Sequence, residues 1–177
     1  MNKSSTKIRA FCATALMIIG LASASAGDNI LRNPKFANQG KFWNLRYNNL
    51  QDSIQKEKGK PCIRMEMAAA DEKGSNVLTQ AVSRPQGGNY IYSVEVLPSR
   101  KFKTARVMLM YRGNDGEMVY LYSRTKSSEL EPGEWSRLVG EAKIPADKTV
   151  TFAVEIRDPK AEGYILIRDP QMTLREE

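Results

Sequence analysis

The sequence predicts an all-β protein, a two-sheet antiparallel β-sandwich that follows a cleavable signal peptide. Three observations predict it. Roughly ten short runs of β-branched and aromatic residues recur at eight- to twelve-residue spacing, each ended by Gly, Pro, Asn or Asp. No convincing amphipathic helix interrupts them, since the segment 68–73 has helix-forming composition but is too short to stand alone. Residues 27–177 also suffice for one self-sufficient core, and not for two.

The elements follow in order. Lys3, Lys7 and Arg9 form a basic start, 10–22 is an apolar run, and Ser23-Ala24-Ser25-Ala26 supplies small residues at a cleavage point. That pattern is a signal peptide over 1–26, with an apolar run too short to span a bilayer. Cys12 follows Arg9-Ala10-Phe11, which is not a lipoprotein context. The expected destination is the periplasm or the outside of a bacterial cell, with no membrane attachment after cleavage. Further on, 42–47 alternates, 61–67 places Ile63, Met65 and Met67 on one face, and 77–83 is a short mixed run ended by Pro85 and Gly87-Gly88. The run 90–96 has period two and is closed by Pro98. Runs 105–111 and 117–122 flank Gly113-Asn114-Asp115-Gly116, the strongest hairpin signal in the chain. Pro132-Gly133 turns the chain into 135–144. Val150, Phe152, Val154 and Ile156 then alternate with polar or small residues, and 164–167 and 171–174 finish the chain.

Composition excludes several functions. The 177 residues contain no histidine, so no Ser-His-Asp triad, Cys-His pair or His-ligated metal site can be built. Of the two cysteines only Cys62 lies outside 1–26, which rules out an intramolecular disulfide and a multi-cysteine zinc site there. Cys62 does not share the parity of Ile63, Met65 and Met67, so it is expected to face outward, open to a Cys62-linked dimer. Three of the 27 basic residues and none of the 20 acids fall in 1–26, leaving a mild formal charge of +4. The loose clusters Lys56-Lys58-Lys60 and Arg100-Lys101-Lys103 read as solvated loops, so nucleic acid is not an expected partner.

Asn33-Pro34-x-Phe36, Gly40 and Trp43 resemble the opening motif of carbohydrate-binding modules of families 4, 9 and 22, jelly rolls of the galactose-binding-like superfold. Gln80-Ala81-Val82, Tyr90-x-Tyr92-Ser93, Tyr111 with Asp115-Gly116, Trp135 with Ile144-Pro145-Ala146, and the closing run 165–174 match later landmarks in order. The resemblance covers essentially all of 27–177. It implies a sandwich with one concave face that holds a sugar chain by ring stacking and by hydrogen bonds from charged side chains.

Carried over position by position, the resemblance puts ligand-binding roles on Arg46, Tyr90 and Tyr120. The sequence departs from it at 71–73, where a stacking Trp is replaced by Asp71-Glu72-Lys73, and at Arg124, where an acid is expected. Arg124 with Arg46 would suit an anionic glycan, such as a uronate or sulfated chain. Tyr122 shares a face with Tyr120. Either Val119 and Leu121 point inward and both tyrosines face out, or the parity is reversed, and Tyr90 and Tyr92 pose the same question. Trp43 and Trp135 are either sugar platforms or core plugs. The candidate ligand set is therefore Arg46, Tyr90, Tyr120, Tyr122, Arg124 and Trp43.

Family members often carry a structural calcium. Here Ala37 and Arg168 stand where the resemblance expects acids, so retention is not expected and Arg168 would replace the cation's charge. The implied function is a non-catalytic module whose partner is a poly- or oligosaccharide. A protein–protein assembly module on the same fold is the rival reading.

Overall fold

A computed structural model describes residues 27–67, 74–83, 85–160 and 162–175. The signal-peptide assignment and the departure at 71–73 lie outside the described residues. Ten strands form two five-stranded sheets. They are β1 (Asn44–Leu45), β2 (Ile54–Glu57), β3 (Lys60–Glu66), β4 (Ser75–Val82) and β5 (Gly88–Pro98), then β6 (Thr104–Arg112), β7 (Met118–Tyr122), β8 (Ser136–Ile144), β9 (Val150–Arg157) and β10 (Tyr164–Leu174). The first sheet has the order β1-β4-β9-β6-β7 and the second β2-β3-β10-β5-β8, and every pairing is antiparallel.

The core lies between the sheets because each strand alternates. Val150, Phe152, Val154 and Ile156 of β9 are fully buried in it, against Val94 and Val96 of β5 and Ile63 and Met65 of β3 among others. The two closing runs form one strand, β10, with a bulge between Arg168 and Gln171 that moves the inward parity from Ile165 and Ile167 to Met172. Asp169, at φ 48°, sits in that bulge. Before β1, Ile30 N–H donates to the Met172 carbonyl at 3.0 Å. The Asn29 amide donates to Pro170 O and its Oδ1 accepts from Met172 N–H, both at 3.0 Å. The start of the described chain is thus laced onto β10.

Two hairpins set local order. Between β6 and β7, Gly113 N–H donates to Glu117 O at 2.7 Å, and Asp115 Oδ1 accepts from Glu117 N–H at 3.0 Å. Between β2 and β3, Glu57 pairs with Lys60, and Lys58 and Gly59 take φ 49° and 79°. Two positive-φ residues in a two-residue loop match the right-handed strand twist. The Lys56-Lys58-Lys60 cluster lies on this hairpin, and all three lysines are exposed to solvent.

The expectation for Cys62 is corrected. Its side chain does point away from the inter-sheet core, but it is 0% exposed. Gln55 hydrogen-bonds the thiol, Glu57 and Arg168 carry charges nearby, and burial pushes the thiol pKa up. A face of a sheet that points outward is not necessarily bare, so a Cys62-linked dimer of the folded chain is sterically closed.

Candidate functional site

The outer face of the first sheet carries a trough of about 810 Å³. Its floor comes from the outward positions of three strands: Ser75, Val77 and Thr79 on β4, Glu155 on β9, and Met108 and Met110 on β6. Arg46 and Tyr47, just past β1, stand on one side, and Tyr120 of β7 on the other. Arg157 at the end of β9 completes the lining. These strands are two-sided, with large apolar residues inward and short or flexible ones outward, which leaves the face shallow enough to be a groove.

Tyr120 and Tyr122 are each 47% exposed, so Val119 and Leu121 take the inward parity and the tyrosines the outward one. Their rings lie nearly parallel, 8° apart, with centroids separated by 6.2 Å. The Arg106 guanidinium sits 4.2 Å from the centroid of Tyr122. Arg106 is itself held by Glu155, with Nε to Oε2 at 2.6 Å and Nη2 to Oε2 at 2.5 Å. Ser75 Oγ donates to the other Glu155 oxygen at 3.0 Å. A ladder of side chains thus runs from β4 through β9 and β6 to the tyrosines of β7. Tyr122 has one ring face taken by Arg106, so Tyr120, which lines the trough, is the ring with a face to offer.

Arg46 is exposed, lines the trough and stacks over Tyr47, with 4.8 Å from Cζ to the ring centroid. Of the six candidate ligand residues, the structure brings Arg46 and Tyr120 into the trough and sets Tyr122 beside it. The other three are placed elsewhere.

Trp43 is 6% exposed and packs edge-on against Phe36 at 5.3 Å and Phe152 at 5.9 Å. Its indole N–H donates to Asn33 O at 3.0 Å, while the Asn33 amide donates to Ala37 O and Lys41 O. The opening Asn-Pro-x-Phe motif is therefore a device that seats a core tryptophan, and Trp43 cannot reach a ligand on the face. Tyr90 is 2% exposed, borders a separate 470 Å³ pocket, and spends its hydroxyl on Gln86 O at 2.8 Å. Its inward parity on β5 removes it from the outer face. Arg124 turns toward the second sheet, where its N–H donates to Val139 O and its guanidinium pairs with Glu141 at 3.2 Å. It does not line the trough with Arg46. Trp135 is not a core plug: it is half-buried outside the core, with the Arg168 guanidinium 3.7 Å from its ring centroid. Arg168 also pairs with Glu95 at 2.5 Å.

Sequence reasoning missed Arg106, Glu155, Arg157 and Ser75. Their outward parity on strongly alternating strands was the available signal, but nothing in one strand says which neighbour a charged residue faces across the sheet.

Two further groups are held by the fold. Burial, partly offset by the charge of Arg124, pushes the Tyr92 hydroxyl up to about 12, and it donates to Leu121 O at 2.8 Å. Burial works against the Asp158 carboxylate, yet the Lys160 N–H, the Arg100 guanidinium and the Lys103 N–H together lower its pKa. The bonds are 2.9, 3.2 and 3.0 Å.

A sandwich of two five-stranded sheets with an arginine- and tyrosine-lined trough has the fold of carbohydrate-binding modules. The xylan-binding domain CBM22-1 of Paenibacillus barcinonensis Xyn10C superposes with a TM-score of 0.61 at 15% identity, over 88% of this chain and 99% of that one. A family 61 module in complex with β-1,4-galactotriose gives 0.56 at 19% identity, over 85% and 100%. The family 16 carbohydrate-binding module-2 gives 0.58 at 13% identity, over 81% and 99%. Other similar structures are parts of larger enzyme chains, such as 27% of an arabinose-bound α-L-arabinofuranosidase. At these identities the likeness is one of fold. No family model and no curated protein sequence matches the chain.

Proposed function

We propose that this chain is an exported, non-catalytic carbohydrate-binding module that holds a poly- or oligosaccharide in the trough of its first sheet. The observation that carries the reading is Tyr120, an exposed ring facing Arg46 across a groove floored by short and flexible side chains. A ring of this kind stacks on the C–H face of a sugar, and an arginine hydrogen-bonds hydroxyl or acid groups bidentately. Chemistry at the trough is not favoured. Glycoside hydrolysis needs two carboxyl groups flanking the scissile bond. Among the described residues the trough has one acid, Glu155, whose oxygens are engaged by Arg106 and Ser75.

A glycan array and an insoluble-polysaccharide pull-down with the purified protein test the proposal. Saturable binding to a glycan class that is lost in Tyr120→Ala, with an unchanged melting temperature, supports it. No binding across a broad panel refutes it.

A further inference from the structure

The antiparallel registers set the side chains of the trough face in rows. Arg106 stands level with Glu155, Glu155 with Val77, and Arg46 N–H donates to Val77 O at 3.1 Å. One row further, Arg157 is level with Ser75 on one side and Thr104 on the other. Arg46 and Arg157 therefore flank β4 from two sides, with backbones about 10 Å apart across the strands.

The charge on this face is one-sided. Its outward-facing strand residues include Arg106, Arg112 and Arg157, and Glu155 is their one acid among the described residues. The Glu155 side chain is 7% exposed, and its charge is taken up by Arg106 and Ser75. It has little left with which to repel an anion in the trough. Arg112 is turned away, donating to Gly116 O at 2.6 Å in the hairpin. Arg157 is exposed, lines the trough, and pairs with no acid among the described residues. A guanidinium of this kind is a bidentate receptor for a carboxylate or sulfate.

We infer that the ligand of the trough is an acidic glycan, with Arg157 taking an acid group while Tyr120 takes a ring face. The inference rests on the glycan-binding reading and names the class of its ligand.

Affinity electrophoresis at two salt concentrations tests it. The probes are polygalacturonate beside its fully methyl-esterified form, and dextran sulfate beside dextran, with poly-L-glutamate as a sugar-free polyanion. One of the two acidic polymers is expected to retard the protein about tenfold more strongly than its uncharged counterpart. That preference should shrink with salt and be largely lost in Arg157→Gln, with Arg157→Lys restoring part of it. The pair that shows the preference distinguishes carboxylate from sulfate. Equal retardation by charged and uncharged counterparts, or an unchanged preference in Arg157→Gln, overturns the acidic ligand and leaves glycan binding standing. Equal retardation by poly-L-glutamate overturns it as well, by exposing a general polyanion effect. Retardation by no polysaccharide overturns both readings.

Discussion

Replacing Gly140 with alanine would place a methyl carbon 2.2 Å from Cζ and 2.4 Å from the hydroxyl oxygen of Tyr92. Carbon atoms settle at about 3.5–4.0 Å, so the ring would have to move by more than an ångström. Tyr92 has no slack to do so. It lies directly opposite Gly140 in the β5–β8 pairing, is 0% exposed, and its hydroxyl holds Leu121 O of β7 at 2.8 Å. Overpacking a core costs about 1–3 kcal/mol. Losing a buried hydrogen bond and leaving its partners unpaired adds about 1–3 kcal/mol. The sum is roughly 2–6 kcal/mol, which at about 3 °C per kcal/mol in a domain of this size lowers the melting temperature by roughly 6–18 °C. Gly140 is not among the positive-φ glycines, so backbone strain does not confuse the measurement. Scanning calorimetry of Gly140→Ala, Tyr92→Leu and the double variant closes a cycle. With the ring gone the methyl has room, and the coupling should reach about 2 kcal/mol. A melting point within about 2 °C of the parent, or a cycle without coupling, would refute the packing argument.

The fold also predicts two pH effects. Because burial raises the Tyr92 pKa from 10.0 to about 12, its contribution of roughly 2–3 kcal/mol is present below pH 10 and lost as pH rises toward 12. Denaturant titrations should show that alkaline slope in the parent and a flatter one in Tyr92→Phe; identical slopes would contradict the assignment. The lowered Asp158 pKa has the opposite sign, with stability present above the ordinary carboxylate value and lost as pH falls below about 4. Asp158→Asn should cost about 1–3 kcal/mol at neutral pH and remove that acid-side slope. Trp43→Ala should cost about 3–5 kcal/mol through its lost core packing, while the folded fraction keeps its glycan affinity. A selective loss of affinity with full stability would return Trp43 to the binding face.

The fold was largely legible because its signals are local. The strands β9 and β5 announce themselves by alternation, and the β6–β7 hairpin by its Gly-Asn-Asp-Gly segment. The strand β2 escaped because Lys58-Gly59, which closes its hairpin, sits among charges that look like a loop. The site was only partly legible. Parity along one strand left the face of Tyr120 and Tyr122 undecided, and the sandwich decides it by burying Val107 and Leu109 of β6 on the same side as Leu121. Trp43 and Tyr90 misled because an aromatic ring serves core and sugar equally well. Only the third dimension, which puts Phe36 and Phe152 around Trp43, tells them apart. The Ser75–Glu155–Arg106–Tyr122 ladder could not be read at all, since its members come from four strands, with Ser75 and Glu155 80 positions apart and Arg106 and Glu155 49.

The lacing of Asn29 to β10 spans separations of 141 and 143 residues. The strand it grips is the middle of the second sheet, between β3 and β5. Until 164–174 arrives, β2–β3 and β5–β8 are two ribbons with open edges and no common partner. Closing loops of this length before any contact rewards them makes folding slow, on the scale of milliseconds to seconds. It also makes closure of the second sheet a late step, because the one strand β10 joins both ribbons and holds Asn29 and Ile30 as well. The first sheet needs none of this, so the second sheet is the one whose closure waits for 164–174 to pair with both β3 and β5.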